Sequence, residues 1–134
     1  MLEREIIQNR SFENVIEDGR VVGFRFLLRM PNYRGVYGRL IDGVDVRVGD
    51  LSWSRDVPLW TLHGTQYTLQ ELQDSHLDVH WDLDVPATIT VPHEGGLAPG
   101  VHEVQVDIAI HAPYIPAQFQ PSLFHSQRKV TVVS

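Results

Sequence analysis

Apolar residues recur along this chain at every second position, the period of a strand with one buried face. In "RVVGFRFLLRM", Val22, Phe24, Phe26, Leu28 and Met30 fall on one face, with Arg25 and Arg29 on the other. That spacing predicts a long, half-buried antiparallel strand. "VDVRVGD" sets Val44, Val46 and Val48 against Asp45 and Arg47. "VHEVQVDIAIHA" sets Val104, Val106, Ile108 and Ile110 against Glu103, Gln105, Asp107 and Ala109. "ATITV" (Ala87 to Val91) and "RKVTVVS" (Arg128 to Ser134) add shorter β-branched strands. "FENVIEDGRVV" reads as a strand turning through Asp18-Gly19 into the next, a common hairpin signal.

One short helix is expected. In "TLQELQDS", Thr68 can cap the first turn while Glu71, three residues on, returns the bond as a capping box. Between the strands lie turn-formers such as "HEGGLAPG" and "HAPYIPAQFQP". The expected fold is therefore all-β, an antiparallel, jelly-roll-like β-sandwich with at most one short helix. A single domain over 1–134 is expected. Its segment 112–134, with Phe119 and Phe124 among prolines, reads either as an arm laid on a partner or as a loop before a last edge strand.

Composition narrows the function. The formal net charge is −6, and the eleven Lys and Arg are scattered singly, so a phosphate backbone or an anionic membrane finds no cationic stripe to bind. Cysteine is absent, which removes disulfides, thiolate nucleophiles and cysteine-based zinc sites. The first residues carry charge from position 3 and form no signal peptide, and no apolar run reaches membrane-helix length. The expected location is cytoplasmic.

The densest set of metal-ligating side chains is "HLDVHWDLD", with His76, Asp78, His80, Asp82 and Asp84 on alternate positions. On a strand those five share one face, and Leu77, Val79, Trp81, Leu83 and Val85 form the other. A solvated polar face over a buried one is the favoured reading, because same-face neighbours on one strand do not converge on an ion without a second strand. The serines lie outside any nucleophile elbow, and "HEGGLAPG" lacks the lysine and helix of a phosphate loop. No catalytic residue is assigned in this chain.

Aromatics offer another chemistry. Tyr33, Tyr37 and Tyr114 sit in turn-rich segments, whereas Trp81 reads as core. Aromatic faces stack on sugars and cations, and aromatics with arginine in exposed loops make interface hot spots. For the three tyrosines, binding and plain packing both remain open. In "PNYRGVYGRL", Pro31 and Gly35 form the turn, which leaves Tyr33, Arg34 and Tyr37 as large hydrogen-bonding side chains.

Four pieces in order, "NYRGVYGRLIDGVDVRVG", "LHGTQYTLQEL", "HWDLDVPATITV" and "GGLAPGVHEVQVDIAIHAPYIP", resemble the small β-subunit of bacterial C-glycoside deglycosidases. No single piece is diagnostic; the resemblance rests on the string, from about Phe12 to Pro116. It implies a non-autonomous subunit that pairs with a larger α-subunit similar to sugar-phosphate isomerase/epimerase barrels. That α-subunit would carry a divalent metal, commonly manganese; no cofactor is expected in this chain. The complex would cleave the carbon–carbon bond between a 3-oxo-glucosyl unit and a flavonoid or isoflavonoid aglycone. In that setting Tyr33, Arg34, Tyr37 and Tyr114 are expected at the subunit interface or the border of the substrate pocket. The competing expectation is a stand-alone carbohydrate- or aromatic-binding β-sandwich module.

Overall fold

The computed structural model describes residues 6–8, 12–31, 35–74, 79–111, 116, 118 and 120–132. The first hairpin joins β1 (Glu13–Glu17) to β2 (Arg20–Leu28) through Asp18 and Gly19, both at positive φ, as the Asp-Gly signal requires. Then follow β3 (Val36–Tyr37), a 3₁₀ turn (Gly38–Leu40), β4 (Ile41–Val48), β5 (Leu51–Trp53), β6 (Leu59–Leu62) and β7 (Thr65–Tyr67). After helix α1 (Leu69–Asp74) come β8 (His80–Trp81), β9 (Ala87–Pro92), β10 (Gly100–Ile110) and β11 (Ser122–Val132).

The strands form a five-stranded sheet in the order β1-β2-β9-β6-β7, a four-stranded sheet β11-β10-β4-β5 and a ribbon β3-β8. Every pairing among them is antiparallel. The first sheet turns Phe24, Phe26, Leu28, Trp60, Ile89 and Val91 inward; the second answers with Val44, Val46, Val104, Val106, Ile108 and Ile110. Trp53 of the second sheet meets Phe24 of the first edge to face, with centroids 5.2 Å apart. The all-β sandwich read from period-two spacing is what the chain forms, and Val22 to Met30 lie as expected.

One irregularity positions polar groups. In β4 the register slips so that Ala109 faces Gly43 and Ile110 faces Ile41, which makes Asp42 the extra residue of a bulge. Ile41 and Val44, of opposite parity, can then both enter the core at no exposure, while Asp42 is redirected toward the strand ends. Gly43 sits at φ +127, and a Cβ there would come 2.7 Å from Arg55 Cβ, so no larger residue fits.

Three expectations shift. The strand expected across "HLDVHWDLD" shrinks to His80 and Trp81, since the backbone bends after Trp81 and Val85 is exposed. His76 and Asp78 lie outside the described residues. The last strand starts six residues earlier than "RKVTVVS" suggests, at Ser122 rather than Arg128, and pairs with β10 along all of Gly100 to Ile110. Finally, β5, β6 and β7 occupy a stretch where the sequence pattern predicts no strand.

Helix α1 follows its sequence signal. Thr68 Oγ1 accepts from Glu71 N at 3.1 Å and Glu71 Oε1 accepts from Thr68 N at 2.9 Å, a reciprocal capping box. Its buried Leu72 lies over Gly38, where a Cβ would sit 2.9 Å from Leu72 Cδ2. Thr68→Ala should therefore cost about 1 kcal/mol in a urea or thermal unfolding experiment.

Candidate functional site

The β3-β8 ribbon closes one end of the sandwich. Its register pairs Val36 with Trp81 and Tyr37 with His80, so alternate residues point in and out. Val36 and Trp81 are buried; the Trp81 ring meets Trp60 edge to face, with centroids 5.2 Å apart. Neither indole N–H has an acceptor among the described residues. The pair therefore anchors the ribbon through area and ring geometry rather than hydrogen bonds.

The outward pair carries the chemistry. The rings of Tyr37 and His80 meet at 80°, with centroids 5.0 Å apart, and the Arg39 guanidinium lies 4.5 Å from the centre of the Tyr37 ring. Tyr37 keeps 40% of its surface exposed. Its hydroxyphenyl ring is thus held between a cation and an imidazole with one part still open to solvent.

Beyond β8 the chain bends and brings Asp82 back onto His80. One carboxylate oxygen accepts from His80 Nδ1, and the other lies 3.2 Å from His63 Nε2. His63 Nε2 is also 2.9 Å from the His80 carbonyl oxygen. All these partners are acceptors, so the proton of His80 sits on Nδ1 and that of His63 on Nε2. His80 Nε2 has no partner among the described residues. Local backbone sets the arrangement: His63 and Gly64, at φ +52 and +82, make the tight β6-β7 turn that carries His63 over β8. The three side chains are a third to a half exposed, so each contact contributes about 0–1 kcal/mol.

A second carboxylate–imidazole pair stands at the same end of β4. Asp42, displaced by the bulge, faces Nδ1 of His111, whose own N–H donates to Leu40 O at 2.8 Å. The Asp42 and His111 atoms are close but poorly aligned, which makes the contact an ion pair when the imidazole is protonated rather than a directed hydrogen bond.

Of the residues singled out from sequence, Tyr37 is at this end; Tyr33, Arg34 and Tyr114 lie outside the described residues. Asp82 joins His80 although the reading favoured from sequence is a solvated face without convergence, whereas Asp84 is exposed and joins none of these contacts among the described residues. The supporting strand that spacing alone could not supply is the β6-β7 hairpin, through His63. Sequence reasoning did not foresee the parts played by His63, Arg39, Asp42 and His111; only the His63-Gly64 pair, a turn signal between apolar residues, offered a clue. Among the described residues no three His, Asp or Glu side chains converge as metal ligands. No described helix is long and apolar enough to cross a membrane.

Elsewhere, a shallow groove of about 460 Å³ crosses the outer face of the first sheet, lined by Glu13, Arg25, Thr61, Gln66, Thr88 and Thr90. Arg25 Nε donates to Glu13 Oε1 there at 2.6 Å. Leu27 and the stacked, buried rings of Phe12 and Phe26 complete the lining beneath these polar groups.

The family model for the C-glycoside deglycosidase beta subunit matches residues 2–114, a span that holds β1 to β10 and the whole Tyr37–His63–His80–Asp82 cluster. A C-glycoside deglycosidase beta subunit from Eubacterium cellulosolvens is 32% identical over 123 residues, covering 91% of this chain and 83% of that protein. The resemblance carried by four segments of sequence thus extends over most of the chain, and the chain belongs to the C-glycoside deglycosidase beta subunit family.

Proposed function

We propose that this chain is the small subunit of a cytoplasmic, hetero-oligomeric enzyme that cleaves the carbon–carbon bond between a 3-oxo-glucosyl unit and a flavonoid or isoflavonoid aglycone. Membership in a beta-subunit family is the observation that carries the reading. The partner is a larger α-subunit of sugar-isomerase-like barrel form. The 3-oxo group acidifies the C2 proton, and its removal prepares the aglycone to leave from C1. A divalent metal in the partner, manganese by the resemblance, supplies Lewis acidity to that ketone.

The β3-β8 end is the docking edge in this reading. Tyr37 and Arg39 there are the residue types that dominate interface hot spots; Tyr37 stands exposed on the ribbon bolted to the core by Trp81, and Arg39 stands exposed on the 3₁₀ turn that follows. Tyr33 and Arg34, a few residues before Tyr37, and Tyr114, three residues after His111, complete the proposed edge. Arg34 pairs with a carboxylate of the partner. Arg34→Ala should weaken assembly or turnover and leave the unfolding transition of the isolated chain unchanged; survival of both assembly and turnover would reduce the segment to a turn.

The direct test is turnover of the 3-oxo form of an isoflavone C-glucoside by the chain, by its partner and by the two together. The chain alone should be inactive and the mixture active. Robust cleavage by the lone chain would sink the subunit reading. The rival reading, a stand-alone glycoside-binding module, predicts calorimetric binding of glycosides by the partner-free monomer.

A further inference from the structure

We infer that His80 is the residue of this chain that delivers a proton to the departing aglycone. The inference rests on the subunit reading above. Release of an aglycone from a C-glycoside imposes one requirement whatever activates the sugar: the aglycone carbon that loses the sugar must end with a hydrogen. A general acid must therefore stand at the border of the substrate pocket, on the aglycone side.

The cluster on β8 has the construction such a group needs. Asp82 takes the Nδ1 proton of His80 and fixes the tautomer, so Nε2 becomes the working nitrogen. Nε2 meets no partner among the described residues, and the side chain is about one-third exposed. His63 holds the other oxygen of Asp82 and the carbonyl of His80, which fixes the carboxylate from the far side. Tyr37 meets the imidazole edge to face, and the part of its ring that Arg39 and His80 leave open, with 40% of the residue exposed, offers an aromatic edge to the aglycone. Fastening β8 to the β6-β7 turn would by itself need only the His63 contacts; it would not need an imidazole with an open nitrogen next to an exposed aromatic ring.

The step balances as follows. A base of the partner subunit removes the C2 proton, and the C2–H electron pair becomes the C1=C2 double bond. His80 enters the step as the imidazolium, with Nδ1–H on Asp82 and a second proton on Nε2; the bond from C1 to the aglycone breaks, and its electron pair forms a C–H bond with that second proton. Neutral imidazole remains, still bonded to Asp82 through Nδ1. The proton held by the base returns to His80 through water, so each turnover closes with no other co-reactant.

The test uses the assembled complex and the 3-oxo form of an isoflavone C-glucoside. His80→Asn keeps a donor near the Nδ1 position for Asp82 but has no acid at Nε2. Turnover should fall by about 100-fold or more, the usual weight of a general acid, while gel filtration shows normal assembly. His80→Ala should regain part of its activity when imidazole is added. Asp82→Asn, which releases the tautomer, should lower kcat with KM unchanged. An assembled His80→Asn complex with turnover within threefold of wild type overturns the inference and leaves the subunit reading intact. So does an assembled His80→Ala complex that imidazole does not rescue. Loss of assembly in both His80 variants would make the imidazole a docking group and overturn its role as an acid. An assembled wild-type complex that cleaves nothing refutes the subunit reading itself.

Discussion

Replacing Trp81 with alanine should cost about 3–5 kcal/mol of folding stability, a large share of the 5–15 kcal/mol typical of a whole domain. Trp81 is fully buried, and its ring closes on Trp60 from the two-residue strand β8. Apart from Trp81, β8 is held among the described residues by its pairing with Val36 and Tyr37 and by exposed contacts to His63, each contributing about 0–1 kcal/mol. The same change should displace His80 and Asp82 and so abolish the function of the complex. Trp81→Phe should be far milder, roughly 1–2 kcal/mol, because the indole N–H it removes has no acceptor among the described residues and only ring volume is lost. Urea denaturation of both variants, followed by tryptophan fluorescence of the remaining rings, separates the two outcomes. Equal losses would show that the indole N–H is bonded after all.

Gly35→Ala should damage the same end by another route. A Cβ at Gly35 would stand 2.5 Å from Cε1 of His80 and 2.6 Å from the carbonyl oxygen of Trp81. The imidazole could swing away, but the carbonyl belongs to backbone paired with β3, so the ribbon itself must open. Overpacking of this kind costs about 1–3 kcal/mol. If only half of that reaches the interface, the partner should bind about tenfold more weakly, since tenfold corresponds to about 1.4 kcal/mol. Gly19→Ala is the control. Gly19 has open space around it but φ +77, and it lies at the far end of the nine-residue β2, about 30 Å away at 3.3 Å per residue. It should lose about 1–2 kcal/mol of stability to backbone strain and bind the partner normally. Calorimetric titration of each variant with the partner reads the difference. Equal affinities for Gly35→Ala and wild type would detach this end from assembly.

Strand spacing made the sandwich legible because both sheets bury one face and wet the other. Val104 to Ile110 alternate cleanly, and so do Phe24 to Leu28. Helix α1 was legible for a local reason: Thr68 and Glu71 satisfy each other's backbone groups with no help from the rest of the chain. By contrast β5, β6 and β7 run only three or four residues, too short for alternation to register, and their turn uses His63-Gly64 instead of the stronger Asn-Gly or Asp-Gly. At β11 the inward positions Ser122, Ser126 and Arg128 are polar and only Phe124 among them is apolar, so a continuous pattern begins where Val130 and Val132 enter the core. The edge strand is held by its ladder to β10 rather than by burial along its whole length.

The candidate site was half legible. His80 and Asp82 stood out by spacing, but their union comes from the bend after Trp81, which alternation along a strand does not predict. The roles of His63 and Asp42 were not visible, because His63 reaches Asp82 through a hairpin turn and Asp42 reaches His111 through the bulge in β4. Both depend on tertiary pairings between residues far apart in sequence. The resemblance, by contrast, came from a string of segments in order, none diagnostic alone, and it carried the family where chemistry read from single residues could not.

Hydrogen–deuterium exchange of the free chain against the assembled complex tests the docking edge most directly. Backbone amides of Val36 to Leu40 and of Val79 to Asp82 should become protected on assembly, while the hairpin at Asp18-Gly19 and the outer face of the first sheet at Thr88 and Thr90 exchange as before. Protection confined to those other surfaces, with Val36 to Leu40 and Val79 to Asp82 unchanged, would contradict it.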